Sequence, residues 1–170
     1  EARLHAEVAN RTTEFLISAF ALSDPTQAVR HDFSAREVLD RGLQRVDVEL
    51  SDLPQVRAKM LEALGNAYRG INEGSAGAAL LEAAAQLYLD PVVAEPLSAA
   101  RSLKAKAASI LASNGSTLEG EDAAQRAFEL VLAHAEGDLL LMAEAHGALA
   151  YALDSVGKEI ATLLQRDREQ

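Results

Sequence analysis

The sequence predicts an all-α protein built from helical hairpins. Apolar residues recur at helical spacing in successive segments of the 170-residue chain, and no segment shows strand alternation bounded by hairpin turns. Alanine and leucine, which lose little entropy on entering a helix, dominate the apolar positions. We therefore predict about eight helices in four antiparallel pairs, arranged as a right-handed solenoid within a single domain over residues 1–170.

The first helical pair is predicted within residues 1–53, where it acts as an N-terminal cap on the repeat that follows. Its first helix covers residues 3–22 and ends at Pro25, and residues 24–33 form a loop. The second helix starts with a capping box between Ser34 and Glu37. Gly42 lies inside this second helix, and we expect a close helical neighbour there to compensate for its cost of about 1 kcal/mol relative to alanine.

Prolines and glycines delimit the remaining helices. Pro54 opens the third helix, and Asp90-Pro91 with Pro96 separates the fourth helix from a fifth over residues 97–113. Asn114-Gly115 is a helix-ending signal before a sixth helix that Ser116 or the acidic run after it begins. Gly137-Asp138 precedes the seventh helix, and Gly157 is expected to separate it from the eighth.

Residues 54–91 carry the most specific motif in the chain. Leu64, Gly65, Tyr68, Leu81 and Ala84 are spaced as in the tetratricopeptide repeat, a helix–turn–helix unit, and the segment resembles that repeat. Gly65 and Ala84 are expected at the helix crossing because small side chains allow a close approach. The chain departs from the consensus with Gly77 in place of Ala, Asn72 in place of Gly, and Pro91 two residues late. Residues 97–136 form a degenerate pair, and residues 138–168 form a short repeat-like pair.

A second resemblance concerns the segment that leads into this repeat. It comprises T-E-F-L-I-S-A-F-A-L-S-D-P at 13–25, S-A-R-E-V-L-D-R-G-L-Q-R-V at 34–46 and P-Q-V-R-A-K-M-L-E-A-L-G-N-A-Y at 54–68. Together these resemble the region after the membrane span in bacterial receptor-type serine/threonine protein kinases with C-terminal tetratricopeptide repeats. The resemblance covers roughly residues 8–88, and it assigns a structural role to Phe15, Leu16, Phe20, Asp24, Pro25, Ala35, Arg36, Leu39, Asp40, Gly42 and Leu50.

This resemblance implies a non-catalytic sensor or regulatory domain. The segment itself has no phosphate loop, H-R-D or D-F-G motif, whereas the full-length parent would be an ATP-dependent protein kinase. The segment would then lie outside the cytoplasm, in the periplasm, after an upstream inner-membrane span that continues into the first helix. Two alternatives remain open: a stand-alone cytoplasmic adaptor that scaffolds a protein complex, and an α-helical enzyme or small-molecule carrier.

Composition excludes several other classes of function. The net charge of −10 opposes binding to nucleic acid and to anionic membranes, and the absence of cysteine excludes disulfides and thiol chemistry. The four histidines form no metal-binding spacing, and the acidic residues around Glu119 suit the dipole of a helix N-terminus. We therefore predict no catalytic residue, no metal site and no cofactor.

The candidate binding residues form a mainly basic stripe on the third and fifth helices. Its members are Lys59, Glu62, Asn66, Arg69, Arg101 and Lys104. Their spacing places the third-helix residues on one polar face. In peptide-binding tetratricopeptide domains, lysine and asparagine on the first helix of each pair often hold a peptide's terminal carboxylate, so the resemblance implies a protein or peptide ligand that is acidic or bound by its C-terminus. The alternative is that these residues only solubilise the helices and pair with neighbouring glutamates.

The first helix offers a second candidate surface. Its apolar residues, which include Phe15 and Phe20, could pair with a second copy and make a homodimer. The alternative is that both phenylalanines cover the end of the core.

Overall fold

The computed structural model describes residues 34–113 and 116–168, and all the regular structure in these ranges is helical. Its six helices are α1 (Ala35–Glu49), α2 (Pro54–Gly70), α3 (Gly74–Leu89), α4 (Pro96–Ala112), α5 (Thr117–His134) and α6 (Leu139–Arg168). The all-α prediction is therefore confirmed for the described residues. The helix predicted over 3–22, the loop over 24–33 and the Asn114-Gly115 signal lie outside them.

The helices begin where the sequence signals predict. The Ser34 side chain accepts a hydrogen bond from the Glu37 amide at 3.2 Å, and Glu37 Oε2 accepts one from the Ser34 amide at 2.8 Å, which completes the capping box. Pro54 and Pro96 stand at the first positions of α2 and α4, where a missing amide proton costs nothing. Ser116 caps α5 by accepting from the Glu119 amide. Local chemistry therefore determines these four boundaries.

Two of the turns between helices use left-handed backbone conformations that the sequence accommodates. Asn72, between α2 and α3, has a φ angle of 66°, and Gly137, between α5 and α6, has a φ angle of 79°. Asparagine and glycine tolerate this conformation better than other residues. Asn72 thus meets the conformational requirement of this turn without glycine.

The predicted break at Gly157 is wrong. The two helices predicted over 138–168 are one continuous helix, α6, with 30 residues. A glycine inside a helix costs only about 1 kcal/mol relative to alanine, and the residues on both sides of Gly157 favour helix. The short repeat-like pair predicted at the end of the chain is consequently a single long helix, and the count of four pairs does not hold there.

The main core lies where α1 to α4 meet. Each helix packs against the next one in the chain, and α4 additionally contacts α2 and α6. Tyr88, Leu81 and Leu103 are the largest side chains that are almost completely buried. Two smaller apolar clusters join α4 and α5 to α6, around Ala145 and Ala152. Alanine recurs at these contacts, which lets neighbouring helices approach closely.

Glycine is required at the crossing of α2 and α3. A Cβ atom on Gly77 would lie 2.7 Å from the Gly65 carbonyl oxygen, and one on Gly65 would lie 2.8 Å from Leu81 Cγ. The close partner of Gly65 is therefore Gly77, and Ala84, which was expected there, is buried in the main core. The expected close neighbour at Gly42 is absent among the described residues, since a Cβ atom there would meet Leu64 at an ordinary 3.5 Å.

Candidate functional site

The structure distributes the six predicted binding residues over α2 and α4. Lys59, Glu62, Asn66 and Arg69 lie on α2, whereas Arg101 and Lys104 lie on α4. Arg69 and Arg101 are exposed, and the other four are partly buried. Because α2 contacts α4 directly, residues on the adjoining sides of the two helices can form one surface.

Tyr88 of α3 connects the two helices. Its hydroxyl donates a hydrogen bond to Glu62 Oε2 at 2.7 Å, and the Asn66 side-chain amide donates to the Glu62 carbonyl oxygen at 3.0 Å. Burial of the phenol raises the pKa of Tyr88, the Glu62 carboxylate raises it further, and the positive charge of Arg101 acts in the opposite direction. The Tyr88 hydroxyl thus contacts Glu62 of α2 directly, whereas Glu95 and Arg101 affect its pKa through their charges alone.

Lys104 extends this region to α6. Its Nζ atom lies 2.5 Å from Glu144 Oε2, which gives an ion pair between α4 and α6. We use the name α2–α4 surface for the six candidates, which are Lys59, Glu62, Asn66, Arg69, Arg101 and Lys104. Neither Lys59 nor Arg69 makes a described side-chain contact with the other members, and their spacing places both on the same side of α2 as Asn66.

Three of the predicted cations have no carboxylate partner in the part of the chain that the structure describes. Lys59, Arg69 and Arg101 form no ion pair there, whereas Lys104 pairs with Glu144. Arg101 also lines an open cleft of about 360 Å³ with Glu95, Ser98 and His134. Lys59, Arg69 and Arg101 thus lack direct ion pairs in the described chain, although the Glu95 carboxylate lines the same cleft as Arg101.

The structure also contains a charged cluster that the sequence reasoning missed. We call it the Glu82 cluster, and its members are Glu82, Lys106, Glu119, Asp122 and Arg126. The two terminal guanidinium nitrogens of Arg126 donate hydrogen bonds to the Glu82 carboxylate, each at 3.0 Å. Lys106 Nζ donates to the same carboxylate at 3.0 Å. Lys106 also lies 3.4 Å from Glu119, and Arg126 lies 3.7 Å from Asp122. One carboxylate thus joins α3, α4 and α5.

The electrostatics of the cluster favour ionised Glu82. Hydrogen bonds from Arg126 and Lys106 lower the pKa of Glu82 to about 2, although burial of the carboxyl group acts in the opposite direction. The Lys106 side chain is only 9% exposed, so its ammonium group depends on this pairing. The sequence does show that Lys106 shares the buried side of α4 with apolar residues such as Leu103 and Ile110, which indicates that it needs a partner. The sequence does not show that this partner is Glu82, 24 residues earlier.

An open cleft of about 380 Å³ lies beside the Glu82 cluster. Hydroxyl groups line it together with Lys106 and Glu119; they belong to Ser75, Ser113 and Ser116. Ser113 Oγ already donates to the backbone of its own helix at 2.8 Å, and Lys106 and Glu119 pair with each other. The cluster is therefore arranged to hold three helices together and to keep its own charges compensated.

Two further properties bear on the chemistry of the described residues. Within 34–113 and 116–168, no group of three or more histidine, aspartate or glutamate side chains could hold a metal ion. None of the described helices has the length and apolar character that a membrane span requires. Comparison of the chain with protein-family models, with curated proteins and with solved structures finds no match.

Proposed function

We propose that this chain is a non-catalytic domain that binds a protein or peptide, and that the α2–α4 surface is its recognition site. The observation that carries the proposal is that Lys59 and Arg101, on helices that contact each other, form no ion pair with a described residue in a chain whose net charge is −10. An acidic side chain or a terminal carboxylate is the ligand group that such cations favour.

The proposed architecture is a right-handed solenoid that resembles tetratricopeptide repeats. Support comes from the Leu64, Gly65, Tyr68, Leu81 and Ala84 motif, from the tight crossing at Gly65 and Gly77, and from the contacts of α4 with α2 and α6. In this architecture α2, α4 and α6 form the inner layer, which lines a concave groove. The α2–α4 surface and the Lys104–Glu144 ion pair belong to that layer.

The proposed biological context is a sensor region of a bacterial transmembrane serine/threonine protein kinase, outside the cytoplasm. Its support is the resemblance of residues 8–88. Ligand occupancy would bias the kinase by favouring one of two receptor states. The alternative is a cytoplasmic adaptor. The parent gene distinguishes them: kinase motifs followed by an apolar stretch of roughly 20 residues upstream support the receptor, and their absence supports the adaptor.

Fluorescence anisotropy with labelled peptides tests the binding site. The probes are acidic octapeptides with a free C-terminal carboxylate, the same peptides with an amidated C-terminus, and neutral versions with Asn and Gln. We expect the acidic, free peptides to bind most tightly, and we expect Lys59→Glu combined with Arg101→Glu to weaken binding by about tenfold or more.

Charge reversals elsewhere provide matched controls. Lys158→Glu combined with Arg166→Glu on α6 makes the same total change of charge at two exposed side chains outside the proposed site, of which Lys158 is 75% exposed. This double variant should retain the affinity of the unmodified chain. Equal losses in both double variants would indicate a general charge effect and would contradict a site on α2 and α4. Unchanged affinity after reversal of Lys59 and Arg101 would also contradict it.

A further inference from the structure

The C-terminal half of α6 carries an apolar stripe that the described chain leaves uncovered. Leu153, Ile160, Leu163 and Leu164 form this stripe, and we call it the C-terminal stripe. Their side chains are 49%, 52%, 52% and 56% exposed, respectively. Single exposed leucines are common on protein surfaces, but four large apolar side chains within 12 residues of one helix make a continuous patch.

Three members of the stripe, Ile160, Leu163 and Leu164, are exposed because α6 is longer than the helix that supports it. Earlier in α6, Ala145 and Ala152 are buried against α4 and α5. The Thr117 hydroxyl at the beginning of α5 donates a hydrogen bond to Glu159. The last nine residues of α6, after Glu159, therefore extend roughly 14 Å beyond the beginning of α5.

The spacing of the stripe is that of a coiled-coil seam. Leu149, Leu153, Val156, Ile160 and Leu163 follow one another at intervals of four, three, four and three residues. This is the heptad pattern through which two helices pack side by side. Leu149 packs within the molecule, whereas Leu153 and the residues after Val156 remain about half exposed. The exposed end of α6 is thus suited to a helical partner.

We propose that Ile160, Leu163 and Leu164 of the C-terminal stripe bind the same three residues of a second copy, with the two helices antiparallel. Charge supports a second copy as the occupant. The chain has a net charge of −10, whereas residues 153–166, which contain the whole stripe, carry two cations and two anions. Two copies of this segment therefore meet without net repulsion.

The positions of these charges determine the orientation. With Ile160 and Leu163 in the seam, Glu159 and Arg166 occupy equivalent flanking positions one heptad apart. An antiparallel pair in which Ile160 packs against Leu163 of the second copy brings Glu159 near Arg166 of the second copy, and twofold symmetry forms this pair twice. A parallel pair would place Glu159 opposite Leu164. The antiparallel arrangement is therefore the one in which the charges complement each other.

Sedimentation equilibrium of the 170-residue chain across the micromolar range tests the proposal. We expect a reversible monomer–dimer equilibrium that Ile160→Glu shifts to monomer. Leu132→Glu is the control, because Leu132 on α5 is 61% exposed and lies outside the stripe. Circular dichroism checks that each variant is folded. A chain that stays monomeric, as it would if residues before Ser34 covered the stripe, overturns the proposal, and so does a dimer that Ile160→Glu leaves unchanged.

A charge-exchange cycle tests the antiparallel register. Glu159→Arg and Arg166→Glu should each weaken the dimer by about tenfold, and the two changes together should restore it. Thr117→Val removes the hydroxyl that contacts Glu159 within the molecule, and it should leave dimerisation unchanged. A double variant that dimerises no more tightly than the single variants would overturn this register. Since the stripe does not include the α2–α4 surface, the peptide-binding experiment gives an independent result.

Discussion

Two buried serine side chains make different contributions to the stability of this protein. Ser102 and Ser109 both lie on α4 and are both completely buried. The Ser109 hydroxyl donates to the Gly74 carbonyl oxygen at 3.0 Å, whereas the Ser102 hydroxyl has no hydrogen-bond partner among the described residues. A buried hydroxyl without a partner loses its hydration without compensation.

These two serines therefore give opposite predictions. Ser102→Ala should raise the free energy of unfolding by about 1 kcal/mol, because it removes an uncompensated polar group. Ser109→Ala should lower it by about 1 kcal/mol, because it removes a buried hydrogen bond between α4 and α3. Urea denaturation followed by circular dichroism measures both. A loss of stability in Ser102→Ala would show that the hydroxyl has a partner.

Glu82 makes the stability of the fold dependent on acid. Its folded-state pKa of about 2 lies below the ordinary value of 4.5, so its contribution is complete above pH 4.5 and is lost as the pH falls towards 2. At neutral pH, Glu82→Gln should lower the free energy of unfolding by about 2 kcal/mol, because Lys106 and Arg126 lose their shared carboxylate.

The pH dependence of the free energy of unfolding tests the role of Glu82 more specifically than a single measurement at neutral pH. Between pH 4.5 and pH 2 the unmodified chain should lose more stability than the variant, so the difference between them should narrow as the pH falls. Glu136→Gln is the control, since Glu136 is exposed and forms no ion pair with a described residue. A difference that stays constant over this range would contradict the assigned role of Glu82.

Local sequence signals predict where several helices begin, but they do not predict that α6 continues through Gly157. The capping box at Ser34 and the prolines at 54 and 96 act through their own backbone neighbours, so they can be recognised without tertiary information. Gly157 carries no such determinant, because glycine is compatible with a helix and with a turn. Continuation of the helix depends on the residues around it.

Substitution at this glycine tests the continuity of α6. A Cβ atom on Gly157 would meet nothing within 4 Å, so Gly157→Ala should raise the free energy of unfolding by about 0.5–1 kcal/mol. Gly137→Ala is the matched control: it also has open space, but its φ angle of 79° should make the same substitution destabilising by about 1 kcal/mol. Loss of stability in both variants would indicate a turn at Gly157.

At the scale of the whole molecule, the acidic net charge gives the α2–α4 surface its significance. Cations that form no ion pair with a described residue attract an acidic ligand, and dissolved salt screens that attraction. We expect the affinity for acidic peptides to fall with rising salt concentration, and to fall less steeply in Arg101→Glu than in the unmodified chain. Anisotropy titrations at several salt concentrations measure both slopes, and equal slopes would mean that Arg101 does not contact the ligand.

The sequence by itself determined the helical class and the helix starts at Ser34 and Pro54, because periodicity and capping are local properties. Only the tertiary structure decided that Ser116 and not the acidic run caps α5, which glycine faces Gly65, and that Glu82 binds Lys106 and Arg126. The contacts of Gly65 and Glu82 join residues far apart in the chain, and their geometry depends on how whole helices pack. The spacing of residues within one helix does not identify the side chains of a second helix that they contact.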